Sequence, residues 1–459
     1  MPDVIHSTAV NELRRGFHGE LIMPDSPSFD ENRTVFNAMI DRRPALIAQC
    51  VNVEDVIRAV NFGREQGIEI AVRGGGHSVA GKSLSEGGLV IDLRRMNSVS
   101  VDPDVRTAKV SGGATMGHLD RATAAYGLAT TGGRVSSTGV GGYTLGGGDG
   151  WLARYLGLAC DNLVEVELVT ADGSLLRVSE KEHGELFWAL HGGGGNFGIA
   201  TSLTFRLKEL SQVHVTLLFW KPERGPEVIR AYRDFMEGAP DEFGGGLFYL
   251  TGPAEPFVPD ALHGQLALAV LLVYAGPADT AGQLAAPMLA LDHDGAMITE
   301  MPYVDFQCML DDPPGYRNYW TAEYLSAFPD AAVNNFSKRA SDMIVPSPSQ
   351  HVLIPQGGAI DRGPSHYPLP WRSAPWCVHP FGLWENPLDD ARGKKWARSI
   401  REEMKPWALD SVYLNFIGEE GEERIIASFG EENYRRLAGV KATYDPENLF
   451  RLNQNIKPR

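Results

Sequence analysis

The residues best suited to chemistry sit in three glycine-rich segments before residue 200. In Val72–Ser83, VRGGGHSVAGKS, a strand-like run enters three glycines and His77 follows at once. The backbone N–H groups of such a turn form a concavity suited to an anion such as a pyrophosphate, because no Cβ stands between backbone and ligand. An imidazole placed there would serve as a proton shuttle, a metal ligand or an ordinary loop residue. In Gly132–Gly150, GGRVSSTGVGGYTLGGGDG, the hydroxyls of Ser136, Ser137 and Thr138 stand between glycine runs. Hydroxyls and bare backbone together satisfy phosphate oxygens well. The third segment, Gly192–Gly198 (GGGGNFG), contains a formal G-x-G-x-x-G match. A Rossmann dinucleotide site needs a strand before that motif and a helix after it. Here the helical ELFWAL precedes and the alternating ATSLTFRL follows, so NAD binding is not supported.

Other chemistries find less in the chain. There is no G-x-S-x-G elbow, no H-E-x-x-H and no Walker lysine loop. His183 and His191 lack further ligands at metal spacing, and no metal is expected. The four cysteines, Cys50, Cys160, Cys308 and Cys377, form no C-x-x-C pair, and reduced thiols are expected. Asp311-Asp312 precedes two prolines and reads as an exposed turn.

The glycine loops alternate with elements that must hold them in place. Val53–Gln66 has helical apolar spacing, and Ile68–Val72 alternates as a strand leading into the first glycines. Strands are also predicted at Gly88–Leu93, Thr107–Ser111, Asn162–Val169, Leu175–Val178 and Thr201–Leu207, with helices at Leu119–Tyr126 and Leu186–Leu190. The order of strand and glycine loop predicts one extended ligand wrapped by several loops. Beyond residue 210 the pattern changes, and six of the nine tryptophans lie after residue 300. Long strands are predicted at Val213–Trp220, Gln265–Tyr274, His351–Ile360 and Trp376–Trp384, with helices at Pro226–Glu237 and Thr280–Leu291. This reads as a second domain, an antiparallel sheet with helices on one side. A helix over Glu431–Tyr444 and a turn at Asp445–Asn448 precede the final LFRLNQNIKP.

The whole chain bounds these readings. With 459 residues, two or three folding units are expected, and 43% apolar against 22% charged residues predicts a core-forming globular protein. A net charge of −16 without a Lys/Arg run argues against nucleic acid. The opening MPDVIHSTAVNELRRGFHGE lacks the apolar core of a signal peptide, and no run reaches membrane-spanning length, so a cytoplasmic protein without a membrane partner is expected.

Taken together, RGGGHS, GVGGYTLGGGDGWLARYLGLACDNL, ADG, FWALHGGGGNFGI and YDPENLFRLNQNI occur in an order that resembles one family, the berberine-bridge-enzyme-like branch of the vanillyl-alcohol-oxidase (PCMH-type FAD-binding) superfamily. The resemblance spans nearly the whole chain. It implies an α+β fold with a bipartite FAD domain: residues 1–208, PCMH-type from about 40, completed by a C-terminal segment over 413–459. Residues 209–412 would form the substrate domain over the flavin ring. It also implies that His77 bonds covalently to the flavin 8α-methyl carbon. Arg73, Gly74, Gly75, Gly76 and Ser78 would hold the cofactor beside it. So would Ser136, Ser137, Thr138, Gly139, Gly142, Gly146 and Gly148 of the second segment. Gly198 and Ile199 of the third, and Asn453 and Asn455 of the tail, complete that set. Many relatives add a cysteinyl link four residues before GVGG; that position is Val135 here, so a single link is expected, as in the bacterial singly linked oxidases.

Tyr413-Leu-Asn415-Phe416 matches the family segment that meets flavin and substrate, and alternation on a strand would put Tyr413 and Asn415 on one face. Tyr413, Asn415 and Gln356 are the catalytic candidates, Tyr413 standing equally well as a buried structural phenol. His351 and His379, on neighbouring predicted strands, are read as structural. The implied reaction is hydride transfer from an alcohol, amine or secondary-metabolite intermediate to the flavin, with O2 reoxidation to H2O2. A flavin dehydrogenase with another acceptor, or a flavin carrier without catalysis, are the alternatives. The expected partners are a small substrate and O2, and a homodimer is the assembly to test for.

Overall fold

A computed structural model describes residues 7–459; the first six residues of the expected 1–208 span lie outside the described residues. The fold is α+β. The N-terminal part holds two sheets. The first has four strands in the order Glu20–Ile22, Leu46–Gln49, Leu89–Asp92 and Ile70–Arg73, the last three parallel. Val53–Glu65 is the crossover helix between two of them, and it starts where Asn52 accepts a hydrogen bond from the Asp55 amide at 2.9 Å. Its buried Val56, Ala59, Val60 and Phe62 recur at helical spacing against the sheet. The second sheet is antiparallel, in the order Val99–Asp102, Thr107–Ser111, Ile199–Arg206, Leu163–Val169 and Leu175–Ser179.

The middle of the chain forms an eight-stranded antiparallel sheet. Its main path runs Gly295–Pro302, Gln212–Trp220, Leu266–Tyr274, Phe243–Thr251, Gln350–Pro355, Trp376–Trp384 and Arg317–Trp320, and Glu323–Leu325 pairs the sixth. Period-two alternation divides each strand between two cores. Leu218, Trp220, Leu353, Trp376 and Val378 face the helices Gly225–Gly238, Asp330–Arg339 and Asp390–Met404. Val215, Leu217, Val352, Ile354 and Cys377 face the other way, toward the N-terminal part. The helices thus cover one face, as the sequence predicts, and the opposite face closes over the glycine loops.

One strand is not among those predicted, and two local expectations differ. Phe243–Thr251 is a central strand despite three glycines, because the N-terminal part packs directly on it: a Cβ on Gly244 would meet the Trp151 carbonyl oxygen at 2.1 Å. The strand expected to reach Ile360 stops at Pro355, where Gly357 and Gly358 turn the chain with φ of 83° and 58°. Tyr413–Phe416 is a single 3₁₀ turn over Leu414–Phe416 rather than a strand.

The C-terminal segment is sewn back to the N-terminal part. The helix Glu431–Tyr444 carries Lys441, fully buried, whose Nζ donates to the Asn196 carbonyl at 2.7 Å, the Phe450 carbonyl at 2.9 Å and Asp445 Oδ2 at 2.7 Å. Asn196 in turn accepts from the Ile456 amide at 2.9 Å and donates to the Gln454 carbonyl at 3.1 Å. Among the described residues no helix is long and apolar enough to cross a membrane.

Candidate active site

A cleft with a cavity volume of about 370 Å³ runs between the glycine loops and the uncovered face of the large sheet. Its first wall is the turn after Ile70–Arg73. The amides of Gly75, Gly76, His77 and Ser78 find no partner among the described residues, so four consecutive donors are left for a ligand. Gly75 crosses Gly139 so closely that a Cβ would lie 2.2 Å from the Gly139 nitrogen. Arg73 does not line the cleft; it is buried behind the turn and braces it by donating to the Asn32 and Thr34 carbonyls.

His77 reaches the cleft with its ring stacked on Phe36, centroids 4.1 Å apart. Its Nε2 lies 2.8 Å from Ser137 Oγ, which leaves Nδ1 as the nitrogen without a protein partner. Burial pushes its pKa down to about 4, so the ring is neutral at neutral pH.

Thr138, Gly139, Gly142 and Gly146 form the second wall, and Gly192–Gly195, Gly198 and Ile199 the third. Cβ atoms on Gly142, Gly194 or Gly195 would meet nothing within 4 Å. Asn453 closes the end, its Nδ2 donating to the Phe450 carbonyl at 2.8 Å while its Oδ1 is buried without a partner.

Several expected ligands of the cofactor are engaged elsewhere. The Ser136 amide and hydroxyl both donate to Asp311, and Ser137 is bonded to His77. Gly148 donates its amide to the Tyr413 phenol oxygen at 3.2 Å. None of Ser136, Ser137, Gly148 and Asn455 lines the cleft, whereas Gly74, Gly75, Gly76 and Ser78 do. Asp311–Asp312 is no plain exposed turn either: Asp311 holds Ser136, and the Asp312 carboxyl lines the cleft with its pKa raised to about 7 by burial and by Asp311.

Tyr413 and Asn415 do face the same way, through the turn. Asn415 Nδ2 donates to the Tyr413 oxygen at 2.9 Å, and the phenol donates to the Tyr143 carbonyl at 3.3 Å. With Gly148 this occupies the phenol on three sides, and burial raises its pKa against the bonds from Asn415 and Gly148. Gln356 does not line the cleft; its Nε2 lies 3.3 Å from Oδ2 of Asp149, which does.

His379, read from the sequence as structural, lines the cleft. His351 and His379 sit on paired strands, but Val352, not His351, is the partner of His379. His351 therefore points to the helices, stacked 3.8 Å from Phe336, while His379 enters the cleft wall. The His379 Nδ1 lies 2.8 Å from the Thr321 carbonyl, which fixes the proton on Nδ1 and leaves Nε2 as a lone-pair acceptor. Burial, helped by the charge of Arg134, lowers its pKa to about 4 against the bond to Thr321. The parity of a strand pairing was the missing signal.

An aromatic wall joins the two histidines. Phe36 stands 6.2 Å from Trp320, Trp320 stands 6.1 Å from His379, and His379 stacks on Phe416 at 4.3 Å.

Open space beside glycines, unpartnered amides at a turn and a buried orphan carboxamide oxygen fit an extended dinucleotide such as FAD. Comparison with known proteins agrees. The family profile "FAD binding domain" matches residues 44–179 and "Berberine and berberine like" matches 412–457. FAD-linked oxidoreductase YgaK of Bacillus subtilis (strain 168) is 31% identical, over 96% of this chain and 97% of its own. (R)-6-hydroxynicotine oxidase of Paenarthrobacter nicotinovorans is 30% identical over 96% of this chain and 97% of its own. The chain belongs to the berberine-bridge-enzyme-like family of FAD-linked oxidases. Within this family the crystal structure of 6-hydroxy-D-nicotine oxidase from Arthrobacter nicotinovorans superposes with a TM-score of 0.85 at 27% identity, covering 97% of this chain and 99% of that one. Physcomitrella patens BBE-like 1 shares the fold, with a TM-score of 0.87 at 20% identity over 99% of this chain and 100% of that one. Of the four cysteines, three are buried and Cys308 is exposed, and none lines the FAD cleft of this family member, whereas Val135 does.

Proposed function

We propose that this FAD-linked oxidoreductase carries its flavin on His77 by one covalent bond and oxidises a small organic substrate with His379 accepting the substrate proton. The observation that carries the reading is the aromatic wall from His77 to His379, which sets an imidazole for the tether and an imidazole acceptor along one cleft. Bound FAD would supply the hydride acceptor, with O2 reoxidation to hydrogen peroxide.

The chain's own residues do the rest. Ser137 holds His77 Nε2, so Nδ1 is the atom available for attachment. Thr321 holds His379 Nδ1–H and thereby aims the lone pair of Nε2 at a substrate hydroxyl or amine. Phe248, Trp320, Val352, Ile354 and Phe381 exclude water and pack an apolar body. Tyr413 positions the Gly148 and Tyr143 backbone rather than exchanging a proton.

Intact mass after denaturation is the test: the polypeptide mass should rise by one FAD, and His77→Ala should abolish the rise. Peroxide formed in step with substrate loss is expected. Substrate-dependent flavin bleaching without peroxide would leave a dehydrogenase, and no bleaching by alcohols, amines or secondary-metabolite intermediates would leave a carrier.

A further inference from the structure

One charged pair in the cleft has no part in that mechanism. Arg134 follows Gly133 into the cleft wall, its guanidinium 5.1 Å above the Trp151 ring and its Nη2 3.3 Å from Asp149 Oδ1. The two partners are not presented equally. The Asp149 side chain is 1% exposed and that of Arg134 is 19% exposed. Gln356 closes Asp149 from behind, at 3.3 Å from its other oxygen. Both side chains line the cleft, but the carboxylate is the more enclosed of the two, so it serves as a counter-charge and the guanidinium is what a ligand meets.

Arg134 also has hydrogen-bonding capacity to spare. A guanidinium holds five N–H donors in a flat fork matched to two acceptor oxygens. Among the described residues Nε and Nη1 of Arg134 have no protein partner. Its flat face is covered by Trp151, which itself meets the edge of Phe306 at 5.5 Å, so the free donors lie at the rim of the fork. Arg134 and His379 both line the cleft, and the charge of the first helps lower the pKa of the second.

We infer that Arg134 is a recognition site for an anionic oxygen of the substrate, a carboxylate or an ionised phenol. The inference rests on the reading of the cleft as a site for a small organic substrate. A carboxylate or phenolate takes the free edge of the fork, while His379 faces the oxidised end. The same charge disfavours a protonated amine beside it.

Benzoate and benzamide share a ring and differ in charge, so calorimetric titration of each into the flavin-loaded protein isolates the anion. Benzoate should bind at least about tenfold more tightly than benzamide, the scale of one charge-assisted fork. Arg134→Lys should keep part of that preference. Arg134→Met alone strands a buried carboxylate, so the decisive variant is the double Arg134→Met/Asp149→Asn, which should lose the preference entirely. Equal binding of the two probes by the wild-type protein overturns the inference, as does a preference that survives in the double variant. A shift of flavin absorbance and midpoint potential in the ligand-free double variant, with benzoate preference intact, would assign Arg134 to the flavin instead and also overturn it. Should the double variant not fold, the wild-type and Arg134→Lys ratios decide. A preparation that lacks flavin yet prefers benzoate would sink the cofactor reading and leave the anion site standing.

Discussion

Two side chains separate position from chemistry at the smallest scale. His379 lines the cleft with Nδ1 bonded to Thr321 and Nε2 without a protein partner; the phenol of Tyr413 is engaged by Gly148, Asn415 and Tyr143. His379→Ala should therefore lower kcat by about 10²–10⁴-fold with the flavin mass unchanged. The ring's pKa is depressed to about 4, so the acceptor form is present across neutral pH and is lost only as pH falls through about 4. The low-pH limb of kcat/KM should lie there and vanish in the alanine variant. Tyr413→Phe leaves the Gly148 amide unpartnered and should cost about 1–3 kcal/mol of stability in a denaturant titration, with kcat kept within several-fold. Both candidates carry chemistry-bearing side chains in the sequence, and only their neighbours distinguish them.

At the scale of elements, the helix Glu431–Tyr444 is legible from its spacing, but its purpose is not. Its fully buried Lys441 fastens the tail to the third glycine loop through Asn196. Lys441→Met should cost about 3–5 kcal/mol, because Asp445 would remain a buried charge. A thermal melt reads the loss, and flavin content per polypeptide should fall with it. Lys441→Met/Asp445→Asn should recover part of both. The strand Phe243–Thr251 teaches the opposite lesson: its glycines resemble a loop, yet they admit the backbone of Trp151 and of Leu271, where a Cβ on Gly245 would stand 1.9 Å from a carbonyl oxygen. Close approach by a distant segment leaves no mark on local pattern beyond the missing side chain.

At the scale of the molecule, the two domains meet through buried polar groups. Asn37 donates to the Asn318 carbonyl at 3.1 Å and accepts from the Asn318 amide at 3.0 Å. Asp120, on the helix Met116–Ala124, accepts from Gln307 on the helix Tyr303–Met309 at 3.0 Å. Burial raises the Asp120 pKa from 3.8 to about 7 against that hydrogen bond. The sign follows: the folded state holds the proton more tightly, so this joint is at full strength below about pH 4 and weakens as pH rises through 7. Each pH unit in that window is worth up to about 1.4 kcal/mol. Asp120→Asn should thus melt higher than the wild type at pH 8 and alike at pH 4.

The sequence by itself determined the α+β class, the ordered glycine loops, the approximate positions of most long strands and the family, because each rests on local periodicity or on motifs read in order. It also marked His77, since the turn that presents it is contiguous. The tertiary structure alone decided which histidine faces the cleft, because pairing Val352 with His379 is a choice of register between residues distant in sequence. It likewise decided that Gln356 and Ser136 support the wall rather than form it, and that Arg134 is the more exposed partner of Asp149. Facing and burial arise when separate segments meet, and no short stretch of chain contains that information.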